Sequence, residues 1–410
     1  MRRIPLRCAC LLASLWALAA ALGAQDLAVR GRVVHTMAGK AIEDGVVLVR
    51  AGKITAVGKA SEVKVPDGLT TLAAAVVTPG LIDAHTSLGL AGILNYAQDK
   101  DELEHSAALQ PELRAIDAYN PEEPLIEWVR GFGVTTVHTG HAPGAVISGQ
   151  TMIAKLRGTT PEQAALQPLA MVAATLGAGA VHEDEKSQPG TRAKAAALLR
   201  DELVKTQAWM EKRARAEKDG KPLERDLRRE ILAKVLTGEV PLLVTAQRAQ
   251  DIATALRLAK EFGFKLVLDG AAEAPLVLDQ IKAANVPVIV HPTMFRAVGE
   301  TENLSLETPG ALKKAGLRVA LQGGYESYVP RTRVVLFEAA EAAAYGLPFE
   351  DALALITIDA ARVLGIDARV GSLEPGKDGD LALYDGDPFE YTSHCTGVVI
   401  DGVVMSSTPH

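Results

Sequence analysis

The stretch Val77-Thr78-Pro79-Gly80-Leu81-Ile82-Asp83-Ala84-His85-Thr86-Ser87-Leu88-Gly89 constrains this chain more than any other. A short apolar run opened by Pro and Gly and closing on a polar cluster reads as a buried parallel strand. Such a strand delivers the side chains at its carboxyl end to a site. Residues i and i+2 of a strand face the same way, so His85 and Ser87 occupy adjacent rungs of one face.

Eight apolar, β-type segments follow from there: Gly80 to Ala84, Val134 to Thr139, Thr151 to Leu156, Leu169 to Ala174, Pro241 to Thr245, Lys265 to Asp269, Val286 to Val290 and Arg318 to Leu321. Helical patterns separate several of them, among them Ala249 to Phe262 and Ala271 to Ala284. Alternating strand and helix in this number argues for a (β/α)8 barrel of the TIM type. Thr332 to Gly346 and Pro348 to Leu364 read as two closing helices. Residues 190 to 238 are a charged, Ala-rich insert. They read as a solvated helical pair broken at Asp219-Gly220-Lys221-Pro222, or as an arm over the barrel mouth. Both ends of the chain are strand and turn: Leu27 to Val34, Gly45 to Arg50 and Lys53 to Val57 at the front, and the region from Gly371 to Val404 at the back.

The first 24 residues run basic, apolar, small, from Arg2, Arg3 and Arg7 through an apolar stretch to Gly23 and Ala24. That order is a cleavable signal peptide, with cleavage after Ala24, and it implies export to a bacterial periplasm or the exterior. Cleavage leaves Cys395 as the single cysteine, so no intramolecular disulfide can form. It also removes three arginines and no acid, leaving 40 basic against 50 acidic residues. That balance favours neither nucleic acid nor an anionic membrane surface, and a small molecule becomes the expected partner, with a homo-oligomer allowed. Neither a phosphate-loop pattern nor a G-x-S-x-G elbow occurs, which leaves nucleotide hydrolysis and serine-esterase chemistry without support.

Three runs carry a family resemblance. Pro79-Gly80-Leu81-Ile82-Asp83-Ala84-His85-Thr86-Ser87 resembles P-G-x-I-D-x-H-x-H, one residue short; Thr245-Ala246-Gln247-Arg248-Ala249-Gln250-Asp251-Ile252 resembles H-A-H-R-A-D-D-I with both histidines replaced. Gly371 to Lys377 and Asp380 to Pro388 match G-S-L-x-P-G-K and D-x-x-L-Y-D-G-D-P. From about residue 27 to residue 404 the chain resembles the imidazolonepropionase-like branch of the amidohydrolase superfamily. The resemblance implies a barrel over residues 79–364, with residues 25–78 and 365–410 pairing into a small β-sandwich. It also implies hydrolysis of non-peptide C–N bonds, in cyclic amides or dipeptide-like substrates, by a metal-bound hydroxide.

The same resemblance locates the expected metal ligands, and this sequence replaces most of them. His85 is present, but Ser87, Thr245, Gln247, Gly270 and Gln322-Gly323-Gly324 stand where a second histidine, the strand-five and strand-six histidines and a strand-eight aspartate are expected. A hydroxyl is a poor substitute for an imidazole at zinc. Other polar residues gather at strand ends: His138, His141, Asp269, His291, Tyr325, Glu326 and Tyr328. Two readings follow. In one, His85, His138 and His141 form a displaced site for one divalent metal (zinc, iron or manganese), and His85, His291 and Glu326 carry catalysis. In the other there is no metal, and the protein is a non-catalytic binding or scaffolding descendant. Each residue also has a plain structural reading: His138 as a hydrogen-bonded interior histidine, His141 as part of a turn, His291 bound to a loop carbonyl, and Asp83 as an acceptor of local hydrogen bonds.

Overall fold

Strands from the two ends of the chain pair with each other. The computed structural model describes residues 25–94, 96–181, 189–222, 224–293, 295–326, 331 and 334–410; the expected signal peptide, His182 and Tyr328 lie outside the described residues. From the N-terminal side come β1 (Leu27–Val34), β2 (Ile42–Arg50), β3 (Lys53–Lys59) and β4 (Thr70–Pro79). Before the C-terminal strands, the chain passes through β5 (Leu81–Thr86), β6 (Val134–Thr139), β7 (Ile147–Gln150), β8 (Met152–Lys155), β9 (Ala165–Gln167), β10 (Val172–Thr175), β11 (Leu242–Ala246), β12 (Leu266–Gly270), β13 (Val288–Val290) and β14 (Val319–Ala320). It ends with β15 (Leu381–Tyr384), β16 (Cys395–Ile400) and β17 (Val403–Ser406).

The end strands form one seven-stranded sheet in the order β17-β16-β15-β4-β1-β2-β3. β4 joins the halves, running parallel to β1 and antiparallel to β15. Period-two alternation sends Val29, Val47, Val49, Val77, Leu381, Leu383 and Val399 into a single apolar cluster, so both chain ends share one core. Neither end segment could bury that face alone.

The central strands form a six-stranded sheet, β14-β13-β12-β11-β10-β7, and a four-stranded sheet, β5-β6-β8-β9. From β10 to β14 the strands are parallel and buried on both faces, as their apolar runs require. The helix Ala249–Phe262 packs Ile252, Ala255 and Leu258 inward and stops at Gly263, which takes the left-handed conformation (φ 75°) that ends such helices.

Two sequence expectations need correction. The segment 151–156 does not continue a parallel series: β8 runs antiparallel to β6, with Thr136 opposite Lys155 and Thr139 opposite Met152. The Gly-rich link before it contains β7 and no helix, and a parallel crossover needs an intervening element of that kind. The expected helix from Pro348 to Leu364 is two helices, Phe349–Leu355 and Ile358–Leu364, broken at Thr357. The break frees backbone carbonyls for the sheets. Leu355 O accepts from Leu321 N (3.2 Å) and Ile356 O from Ile82 N (2.8 Å). The two central sheets therefore meet at a seam between β5 and β14, where Ala84 N donates to Leu321 O and Gly324 N to His85 O, both at 3.2 Å.

The insert folds as the helices Arg192–Lys218 and Leu227–Leu236, N-capped by Thr191 and Asp226. Arg229 pairs with the buried Glu202 at 2.9 Å to hold them together. Arg192 ties their base to Asp251 and Glu300, which follow β11 and β13. Among the described residues no helix is long and apolar enough to cross a membrane.

Candidate functional site

Asp269, at the end of β12, is the centre of the polar cluster at the carboxyl ends of the strands. Its Oδ1 accepts from His85 Nδ1 (3.0 Å) and Gln322 Nε2 (2.8 Å), and its Oδ2 accepts from Thr245 Oγ1 (2.6 Å). Four separate strand ends thus supply one network. Burial works to raise the Asp269 carboxyl, but the His85, Thr245 and Gln322 contacts outweigh it and hold the group below the usual carboxylate range. The Gln322 amide also donates to Val290 O (3.0 Å), which fixes its orientation.

Thr245 and Gln322 stand where the family resemblance expects a histidine and an aspartate, and both donate a hydrogen bond to Asp269. Two further replacements fit each other. Gly270 has φ 76°, a conformation that a side chain resists, and a Cβ there would overlap the Gln247 amide, whose Oε1 accepts from Ala272 N. The missing side chain of one position is filled by the other.

The sequence-selected histidines separate in role. His85 is fully buried, its Nδ1 facing Asp269 and its Nε2 without a partner. His138 lies beside it, ring centroids 5.7 Å apart, and spends both nitrogens: Nδ1 donates to Ala84 O (2.8 Å) and Nε2 accepts from Thr151 Oγ1 (2.6 Å). Burial pushes His138 down to about 3, so it is a neutral interior histidine. His141 packs over Gly149 (φ 144°), where a Cβ would collide with its ring, and burial pushes it down to about 4. His291 donates from Nδ1 to Pro292 O (3.0 Å), leaves Nε2 unpartnered, and is also lowered by burial. Ser87 Oγ donates to the backbone carbonyl of Glu326 (3.3 Å), and the half-buried Glu326 lies next to Tyr325, whose ring stacks 5.3 Å from His85.

Among the described residues, no group of three or more His, Cys, Asp or Glu side chains could hold a metal ion. His138 offers no free lone pair, and the hydroxyl and amide side chains at the family's ligand positions bind Asp269 or the backbone. The residues present do not fit the family's metal.

Asp83 accepts from the backbone N–H groups of Gly323 (2.9 Å) and His85 (3.2 Å). Burial still pushes its carboxyl up to about 7, helped by the charge of Glu338. A carboxyl raised above its unfolded value of about 4 stabilises the fold at low pH, and that contribution is lost as pH rises through about 7. Asp83→Asn keeps an acceptor oxygen and removes the titration. Urea unfolding is expected to show the variant gaining about 2 kcal/mol on the parent between pH 5 and pH 8. An unchanged difference at the two pH values would show that Asp83 does not titrate in this range.

Sequence reasoning picked out Asp269 as a polar strand end, and His85, Thr245 and Gln322 separately, but not that the three bond to it. It missed entirely the buried Lys155, whose signal is a lysine closing the apolar run Met152-Ile153-Ala154 together with the aspartates at 378 and 380.

A mixed α/β fold with a polar cluster at the carboxyl ends of its strands is the arrangement of an α/β protein whose site lies at those strand ends. A family model described as "Amidohydrolase family" matches residues 342–405. The solved structure of an amidohydrolase from Thermotoga maritima MSB8 superposes with a TM-score of 0.88, at 32% identity over 93% of this chain and 100% of that one. An imidazolonepropionase from Rhizobium rhizogenes is 25% identical over 87% of this chain and 90% of its own length. The amidohydrolase tasK of Hapsidospora irregularis is 26% identical over 89% of this chain, which spans 40% of that longer protein. The chain belongs to the amidohydrolase superfamily and is similar to its imidazolonepropionase-like members.

Proposed function

We propose that this protein is an amidohydrolase-fold binding protein that takes a small molecule at the mouth of the barrel without a resident metal. The reading takes the two central sheets as halves of one barrel, and it places the protein outside the cytoplasm after loss of residues 1–24. One observation carries it: both oxygens of the Asp269 carboxylate are occupied by side chains of the chain itself, His85 and Gln322 on Oδ1 and Thr245 on Oδ2. A pocket that has exchanged its ion for such donors keeps its shape, since the Asp269 carboxylate retains partners on both oxygens.

A second reading keeps hydrolysis of a non-peptide C–N bond, in a cyclic amide or dipeptide-like substrate. It is favoured by the unpartnered Nε2 atoms of His85 and His291, with Glu326 nearby. A histidine that donates Nδ1–H to a carboxylate is also the usual form of a metal-bound imidazole.

Elemental analysis of the 25–410 protein, purified without chelator, separates the two. Metal well below one equivalent, unchanged in His85→Ala, is the expected result. About one zinc, iron or manganese per chain that is lost in His85→Ala would overturn the binding-protein reading and establish the second.

A further inference from the structure

A groove of about 1700 Å3 lies at the opposite end of the strands from the Asp269 cluster. Its lining includes Met171, Pro241, Lys265, Pro287 and Arg318, the residues that immediately precede β10, β11, β12, β13 and β14. The helices Ala249–Phe262, Leu278–Ala284 and Ile358–Leu364 bring their C-terminal halves to it. The apolar lining includes Met171, Phe264, Val363 and Leu364, all buried, and Leu169 and Leu256, half-buried.

The charges around this groove are mostly of one sign. Arg257, Lys260, Lys265, Arg318 and Arg362 line it, against a single acid, Glu239. Glu239 is paired with Lys234 (2.7 Å) and Arg362 with Asp359 (3.0 Å). Among the described residues no carboxylate pairs with the other four, which are exposed on a chain of net charge −7. Local structure accounts for part of this. Lys260 stands in the last turn of its helix, where a cation answers the dipole, and Arg318 donates from Nη2 to Asn285 O (2.7 Å) at the end of another. Arg257 donates to the Thr254 hydroxyl (2.8 Å), and no acid or helix end answers Lys265 among the described residues.

An apolar trough rimmed by such cations complements a molecule with an apolar tail and an anionic head. A peptide strand laid along it would bring main-chain N–H and C=O groups that an apolar lining leaves unpaired, whereas an alkyl chain brings none. We infer that this groove binds a free long-chain carboxylate of the fatty-acid class, its tail along the apolar lining and its head met by the rim cations Arg257, Lys265 and Arg318. Binding here is independent of what the Asp269 cluster does at the other end of the strands.

Calorimetric titration of the 25–410 protein with dodecanoate, octanoate and dodecyltrimethylammonium, each below its micelle concentration, tests the assignment. Each methylene withdrawn from water is worth up to about fourfold in affinity, so dodecanoate is expected to bind once per chain and about tenfold or more tighter than octanoate. Dodecyltrimethylammonium has the same chain with a positive head and is expected to bind about tenfold or more weaker than dodecanoate. Reversing the rim with Arg257→Glu, Lys265→Glu and Arg318→Glu together is expected to weaken dodecanoate by about tenfold, with folding checked by circular dichroism. Should that variant not fold, the neutral set Arg257→Gln, Lys265→Gln and Arg318→Gln is expected to lose about threefold. Lys212→Glu with Lys218→Glu, exposed on the insert, is expected to leave the affinity unchanged. Equal affinity for octanoate or dodecyltrimethylammonium, unaltered binding by the folded rim variants, or no saturable binding of dodecanoate would overturn the inference. A dimer in sedimentation equilibrium that the rim variants split would overturn it in favour of a second copy. Flotation with phosphatidylglycerol vesicles that the same variants abolish would overturn it in favour of a membrane surface.

Discussion

Lys155→Met is expected to destabilise the fold by about 3–5 kcal/mol, the cost of stripping the partner from buried charges. The Lys155 ammonium is 4% exposed. It lies 2.7 Å from Asp378 Oδ2 and 3.0 Å from Asp380 Oδ2, and it also contacts Asp401. Burial alone would lower its pKa, but the three carboxylates more than reverse that, so it stays charged. Asp378 keeps Lys53 and Arg369 when Lys155 is lost, and Asp401 keeps Arg157. Asp380 keeps only the backbone N–H of Asp401 and is left as a buried, unpaired anion. Lys155 closes β8, while its three partners come from the C-terminal segment, so the cluster fastens the central sheets to the end sheet. Urea unfolding midpoints of Lys155→Met and of Lys155→Met with Asp380→Asn check the account. The double variant should recover part of the loss, and equal stability of Lys155→Met and the parent would refute it.

Asp269→Ala is expected to cost about 3 kcal/mol or more, since it strands buried donors worth about 1–3 kcal/mol apiece. His85 Nδ1 and Thr245 Oγ1 lose their acceptor outright, while Gln322 keeps Val290 O. Asp269→Asn retains one acceptor oxygen and should cost less than the alanine. The order parent, asparagine, alanine in unfolding midpoint is the expected result. An alanine variant as stable as the parent would mean that the network contributes nothing to the fold, and the argument for a self-satisfied, metal-free mouth would fail with it.

The family and most of the strands were legible in the sequence because they are written in local patterns. Pro79-Gly80 followed by an apolar run ending at His85 fixes a strand and its carboxyl end with no other part of the chain. Ala249 to Phe262 announces its helix by periodicity and its end by Gly263. The replacement of metal-ligand types at residues 87, 245, 247, 270 and 322 is likewise a matter of residue identity. The direction of β8 was not legible, because an apolar run of four residues reads the same parallel or antiparallel; the pairing partner decides. Nor was the break at Thr357, since its cause is non-local. The N–H groups of Ile82 and Leu321, far away in sequence, take the carbonyls that a continuous helix would have used.

For the site, the sequence by itself determined which side chains reach the carboxyl ends of the strands and that most of the family's ligand positions hold other residue types. Only the tertiary structure decided what those side chains do there. His138 was a candidate ligand until its two nitrogens met Ala84 and Thr151. Asp269 was one polar strand end among several until His85, Thr245 and Gln322, separated from it by 184, 24 and 53 positions, closed around it. The reason is physical: a residue type sets what a group can donate or accept, but burial and the identity of the facing partner set which of those bonds it makes, and both arise from contacts distant in the chain.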